Sequence, residues 1–218
     1  MVAIELKPKT DDLDLLERRR AQFVAAAIEL FGERGYHATT IRDIAEHTGV
    51  SIGLVYHYFE DKEDLLFLAL VEVLDSYRRQ IPLSLEGIKD PLPRFCAAVR
   101  AYCLVNDATV DATVLSYRET KSLSKERRNL IKQKERETNE LISACIRDCI
   151  AAKLFDRNFD VELMTYQIVM FCHTWALKAW YFRGRMTVED YIERGLHLML
   201  NGVMTPTGRR RLMASRKR

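Results

Sequence analysis

Residues 39–62 read TTIRDIAEHTGVSIGLVYHYFEDK, two short helical patterns about a glycine. Thr40 is placed to cap a first helix over Ile41–Thr48, with Asp43 three positions on completing a capping box. Ile41, Ile44 and Ala45 fall on one face at helical spacing. Gly49 then supplies a left-handed turn residue at little cost. Ser51 caps a second helix over Ile52–Phe59, in which Val55 and Phe59 share the inward face. Tyr56 and His57 project from the opposite side. Asp61 caps the next helix, with Asp64 at the reciprocal position. Lys62 stands at that helix's start, where the dipole disfavours a cation and a phosphate contact supplies a reason for one.

Two tight helices joined through a glycine form a DNA-reading unit, whose second helix enters the major groove by its N-terminal part. On that geometry Ser51, Ile52, Gly53 and Leu54 approach the bases. Ile52 and Leu54 donate no hydrogen bonds, so their readout is contact with thymine methyls. Thr40, Arg42, Tyr56, His57 and Lys62 then hold phosphates and orient the domain. The competing reading is a helical adaptor or enzyme in which the motif is coincidental. Gly49–Gly53 also matches G-x-S-x-G, but the nucleophile elbow needs a preceding strand, and here a helical pattern precedes it. With no paired carboxylates, metal cluster or phosphate loop in the sequence, neither an enzyme, a cofactor nor a metal is expected.

From about Arg18 to Leu66 the chain resembles the N-terminal domain of TetR-family transcriptional regulators. The resemblance is carried by AAIELF at 26–31, Gly35-Tyr36, TTIRDIA at 39–45, GVS at 49–51, GLVYHYF at 53–59 and KEDLL at 62–66. It implies an all-α protein: an N-terminal three-helix bundle with the helix-turn-helix, and a C-terminal antiparallel helical domain for ligand binding and dimerisation. A homodimeric repressor, released from a near-palindromic operator by a small molecule, is the implied function. An activator and a ligand-independent architectural protein are the other regulators of this kind.

Composition sets bounds. The chain has 218 residues, 48% hydrophobic, with a net charge of only +3. Residues 1–64 carry eight Lys/Arg and thirteen Asp/Glu, a net of −5, so DNA affinity must come from a few placed cations and helix N-termini. Arg209–Arg218 holds six basic residues and no acidic one. Residues 205–218 read as a flexible basic tail, with DNA contact as the second reading. Five cysteines (Cys96, Cys103, Cys145, Cys149, Cys172), no CxxC pair and no secretory signal point to reduced thiols and a cytoplasmic protein. Small buried side chains are preferred to a metal at Cys145, Cys149 and His173. Gln167, His173 and Lys178 interrupt the apolar stretch 163–182, which reads as a buried helix and not a membrane span.

Helices are expected over Leu13–Arg34, after a loose arm at 1–12, then the motif pair and Lys62–Arg79, which Pro82 closes. Others follow from Pro91 to Val105, Thr109 to Lys121, a Ser124-capped stretch to Lys153, Asp160 to Phe182 and Thr187 to Asn201. Residues 1–62 form the arm and DNA-binding domain, and residues 63–204 the helical ligand-binding and dimerisation domain. The segment Trp175–Gly184 resembles TetR-type regulators of acyl-CoA and fatty-acid catabolism, which implies an amphipathic effector such as an acyl-CoA. Tyr102, Leu115, Tyr117, Arg118, Phe171, Trp175 and Lys178 are the expected lining, with Arg118 or Lys178 facing the anionic part. The last two helices are apolar on more than one face. The resemblance implies that Val169, His173, Ala176, Leu196, Leu198, Met199 and Val203 form the seam with a second copy.

Overall fold

The computed structural model describes residues 10–215. The expected arm falls mostly outside them, and helix α1 already begins at Thr10 and runs to Arg34. Helices α2 (Ile41–Thr48) and α3 (Ile52–Tyr58) follow. Phe23, Ala27, Leu30 and Phe31 make the buried stripe of α1, which meets Ile44, Val55 and Phe59. The Thr39 hydroxyl pins the connecting loop by donating to the carbonyls of Leu30 (3.2 Å) and Gly35 (2.9 Å). Thr40 and Asp43 form a reciprocal capping box, and Gly49 ends α2 at φ +70°. Val50 N–H then donates to Ala45 C=O at 3.0 Å, closing a Schellman-type turn that sets the angle to α3.

Helix α4 spans Lys62–Ser84, behind its own Asp61–Asp64 capping box. Its first half (Leu65, Leu66, Ala69, Leu70) completes the N-terminal core, and its second half (Val73, Tyr77, Ile81) belongs to a second core. Pro82 lies inside the last turn instead of ending the helix before it. A proline so near the end forfeits one backbone bond in a turn that is already fraying.

The second core is built by α5 (Pro91–Ala108), α7 (Lys125–Ala151), α8 (Val161–Leu177) and α10 (Val188–Val203), with α5 packed against α4, α7, α8 and α10. Helix α6 (Val110–Glu119) packs on α8 and also on α1 and α4. Leu115 of α6, Leu123 after it and Ile131 of α7 are buried in the N-terminal core. The boundary expected at 62/63 therefore falls where one helix begins to serve two cores. Among the described residues there is no strand, only an isolated antiparallel bridge between Phe155 and Met204.

Two expectations are corrected. The helix expected over Asp160–Phe182 ends at Leu177, and a separate turn, α9 (Ala179–Phe182), follows. Trp175 Nε1–H donates to Asp107 Oδ1 at 2.8 Å, and Phe182 folds back onto the Trp175 and Tyr191 rings. A straight helix would carry Phe182 away from both. The tail expected to be flexible begins as helix α11 (Pro206–Ser215). Thr205 caps it, its hydroxyl accepting from Gly208 N–H at 3.1 Å. Gly208 lies so close to Leu154 that an added Cβ would sit 2.3 Å from the Leu154 carbonyl oxygen. Arg211 also donates to Asp90 Oδ2 at 2.8 Å.

Candidate nucleic-acid interface and cavity

Helix α3 is anchored from behind and open in front. Val55 and Phe59 are buried in the N-terminal core. Ser51, Gly53 and His57 are exposed, Tyr56 is 53% exposed and Ile52 39%, while Leu54 is half-buried. Ser51 Oγ accepts from Leu54 N–H at 3.3 Å as the helix cap, with a helix on each side of it. Gly53 has negative φ, and an added Cβ there meets nothing within 4 Å. Nothing inside the chain requires a glycine in this helix, which would be more stable with alanine by about 1 kcal/mol.

Thr40 and Arg42, at the start of α2, are exposed. The Thr40 hydroxyl (2.6 Å) and the Thr40 N–H (2.7 Å) both donate to Asp43 Oδ2 and hold the Asp43 carboxyl below the usual range, while the hydroxyl accepts from Asp43 N–H. Lys62 departs from the phosphate role expected of it. Its ammonium donates to the carbonyls of Tyr36 (2.7 Å), Thr39 (2.8 Å) and His37 (3.4 Å), and lies 4.4 Å from the Tyr36 ring centre. An ammonium has three N–H donors, and each meets a carbonyl. The cation at the helix start is thus explained by the loop it closes.

Part of the acidity of the first 64 residues is met internally. Arg127 of α7 reaches Asp61 (3.7 Å), Glu63 (3.5 Å) and Asp64 together, and the Glu63 carboxylate accepts from Ser124 N–H at 2.7 Å. These three carboxylates thus meet a cation of α7 at the start of α4.

A cavity of about 300 Å³ lies among α4, α5, α6, α7 and α8. Tyr102 and Tyr117 line it. Leu115 and Arg118 instead border a separate pocket of about 350 Å³ between α1 and α6, beside Glu29, Glu33 and Asp111. Phe171 stacks on Tyr191 at 4.6 Å and presses on Gly195, Trp175 is held by Asp107, and Lys178 is exposed beyond the end of α8. These five residues are therefore not brought together around the cavity. Sequence reasoning missed Tyr77, Thr113, Ile131, Lys132 and Glu135, which line it from α4, α6 and α7. In sequence, Lys132 and Glu135 look like any charges on a solvated helix face. Burial raises the Glu135 carboxyl, opposed by Arg136 and Lys132.

His173, expected on the seam with a second copy, lines the cavity instead. Its Nδ1 is 2.7 Å from Tyr117 Oη and its Nε2 3.2 Å from Tyr102 Oη. Burial pushes its pKa down to about 4, so the ring is neutral at pH 7. Val169 and Ala176 are likewise buried within the protomer, because they lie on the face of α8 that meets α5. Leu196, Met199 and Val203 are half-buried against the second core. Of the expected seam only Leu198 stands fully out, at 74% exposure. The exposed apolar groups of α8 are Leu163, Tyr166 and Met170. A wider open groove of 510 Å³ runs outside α4 and α5, past Leu83, Arg100 and Leu104. Among the described residues no group of His, Cys, Asp and Glu is placed to hold a metal, and no helix is long and apolar enough to cross a membrane.

Residues 23–69 match the family described as bacterial regulatory proteins, tetR family, and residues 89–203 match the tetracyclin repressor-like C-terminal domain. The chain is 48% identical to the HTH-type transcriptional regulator HbdR of Aromatoleum sp. (strain CIB), over 95% of this chain and 90% of that protein. It is 29% identical to the HTH-type transcriptional repressor KstR2 of Rhodococcus jostii (strain RHA1), over 91% and 98%. The structure of the ketosteroid transcriptional regulator KstR2 of Mycobacterium tuberculosis superposes with a TM-score of 0.74 at 25% identity, covering 86% of this chain and 95% of that one.

Proposed function

The chain belongs to the TetR family of transcriptional regulators, and from that premise we propose that it is a ligand-responsive, sequence-specific repressor that binds a near-palindromic operator as a homodimer. The observation that carries the reading is α3, whose outer edge (Ser51, Gly53, Tyr56, His57) is presented to solvent while Val55 and Phe59 hold it from behind. Exposed Thr40 and Arg42 of the first motif helix would hold phosphates beside a groove-bound α3. The exposed apolar residues Leu163, Tyr166 and Met170 of α8 and Leu198 of α10 support pairing with a second copy.

Release by a small molecule is supported by the way the cavity meets the DNA-binding core. Ile131 lines the cavity and is also buried in the N-terminal core. A molecule that moves α7 at Ile131 therefore acts directly on the packing behind α4. The effector class we favour is an amphipathic metabolite such as an acyl-CoA. Tyr77, Tyr102 and Ile131 give the cavity an apolar wall, while Lys132 on the lining and Arg136 one turn along offer cations to an anionic part left outside.

Electrophoretic mobility shift of the full chain on its own promoter region tests this reading. Binding should survive random-sequence competitor and be lost in Tyr56→Ala. Equal binding to random DNA would end the operator reading.

A further inference from the structure

Asn139 of α7 is 4% exposed, and neither Oδ1 nor Nδ2 of its amide has a hydrogen-bond partner among the described residues. An amide buried with both ends unpaired is costly. Its neighbours are already committed. The Ser143 hydroxyl, one turn on, bonds that of Thr165 at 2.8 Å, and the Thr165 proton goes to Val161 C=O at 2.8 Å. The Thr138 hydroxyl donates to Lys134 C=O at 3.0 Å.

Asn139 lines a pocket of about 340 Å³ between α7 and α8, with Arg136, Glu140, Arg147 and Tyr166 also on its wall. Arg147 is paired with Glu140, whereas Arg136, one turn before Asn139, is in no ion pair among the described residues. The pocket is separate from the cavity that His173 lines, and its occupancy does not require that cavity to be the effector site.

We propose that this pocket binds a nucleotide, with the base edge-on to Asn139 and the phosphate on Arg136. A base edge that carries an N–H beside an acceptor satisfies Oδ1 and Nδ2 together, as adenine does through N6 and N7. A carboxylic acid or a primary amide pairs with an amide in the same way. A base adds a flat face for the Tyr166 ring, and a nucleotide adds the phosphate that a guanidinium holds by parallel bonds. Arg136, Glu140 and Tyr166 are exposed, so a base reaches the screened amide by turning side chains aside. Tyr166 also stands on the exposed face of α8 proposed to meet a second copy, so a bound nucleotide borders that seam. A free adenine nucleotide and the nucleotide end of a coenzyme A thioester offer the same chemistry.

Calorimetry with the full chain compares AMP with purine riboside 5′-monophosphate, which lacks only the N6 amine, and with adenosine, which lacks the phosphate. AMP should have a Kd at least tenfold below either. Coenzyme A that displaces AMP and binds at least tenfold tighter identifies the thioester as the source, and coenzyme A that binds no tighter than AMP identifies a free nucleotide. Both results uphold the site. Asn139→Leu removes the unpaired amide, so without nucleotide it should raise the thermal midpoint, and it should abolish the advantage of AMP over purine riboside monophosphate. Arg136→Gln should abolish the advantage over adenosine and keep the other. No binding of AMP, equal binding of purine riboside monophosphate, an advantage that survives in Asn139→Leu, or a lower midpoint for that variant would each overturn the proposal. The wild-type comparison needs no variant to fold. Operator binding of Asn139→Leu without nucleotide should match wild type, which keeps the repressor reading a separate question.

Discussion

Lys62 and Gly53 show how single residues divide between fold and function. Lys62 closes the loop between α1 and α2 with three hydrogen bonds to carbonyls. Charge-assisted bonds of this kind are worth about 1.5–3 kcal/mol. Lys62→Met should therefore lower the thermal midpoint while leaving the salt dependence of operator binding unchanged. A fall of about one unit in the slope of log K against log salt, with stability intact, would restore the phosphate role. Gly53 makes the opposite prediction. Gly53→Ala should raise stability by about 1 kcal/mol and weaken operator binding at least tenfold, because the methyl enters the space a base edge would occupy. A variant that is stabler and binds normally would remove the close approach from the argument. His173 carries a pH signature. Its pKa is about 4 folded against 6.5 unfolded, so between those values the unfolded chain holds a proton that the folded chain does not. Stability from this group is complete above pH 6.5 and is lost as pH falls towards 4, on the order of 3 kcal/mol in all. Urea unfolding of wild type should weaken more between pH 7 and pH 4.5 than that of His173→Leu; equal losses would refute the assignment.

Among the helices, α4 and α7 join the two halves. The start of α4 follows the DNA-reading helix directly, and Arg127 of α7 meets three acids there while stacking near the Phe67 ring. Eight residues further, α7 contributes Glu135 to the cavity. One rigid helix thus touches both the cavity and the base of the DNA-reading unit. Arg127→Ala should accelerate amide exchange in the first turn of α4, leave α8 unchanged, and weaken operator binding. Unchanged exchange at Lys62–Leu66 would show that the contact is ornamental, as many surface ion pairs are. Helix α11 belongs to the other end. It docks on Leu154 and Asp90, beyond the far end of α4, whose 23 residues span roughly 34 Å. On its own protomer the start of that basic helix therefore lies past the end of α4 opposite the DNA-reading unit.

For the whole molecule, the operator reading requires two copies. Adjacent major grooves on one face of a duplex are about 34 Å apart, and a two-fold pair meets both with the same helix. Leu163→Glu with Leu198→Glu places charge on the exposed apolar faces of α8 and α10. Sedimentation should then show a monomer, and operator affinity should fall more than a hundredfold. A dimer that persists would place the seam elsewhere, the open groove outside α4 and α5 being the next surface to test. Effector release also has a thermodynamic bound. Moving a population from 1:99 to 99:1 takes about 5.5 kcal/mol of differential binding, whereas coupling of about 1–3 kcal/mol is usual. Release by an effector should accordingly be graded.

Local chemistry made the DNA-reading unit legible before any coordinates. Caps at Thr40, Ser51 and Asp61, the turn at Gly49 and the spacing of Val55 and Phe59 act within a few residues, so neighbours in sequence suffice to specify them. The all-helical class followed for the same reason. The cavity was legible only in part, because its wall unites Tyr77, Tyr102, Tyr117, Glu135 and His173 from five helices. Helix periodicity says which residues share a face but not which neighbour that face meets. His173, Val169 and Ala176 could belong to a seam or a core on sequence grounds, and packing against α5 chose the core. The ends of the chain obey the same rule: the charge of α11 is written in its residues, but where that charge lies was settled by Gly208 meeting Leu154.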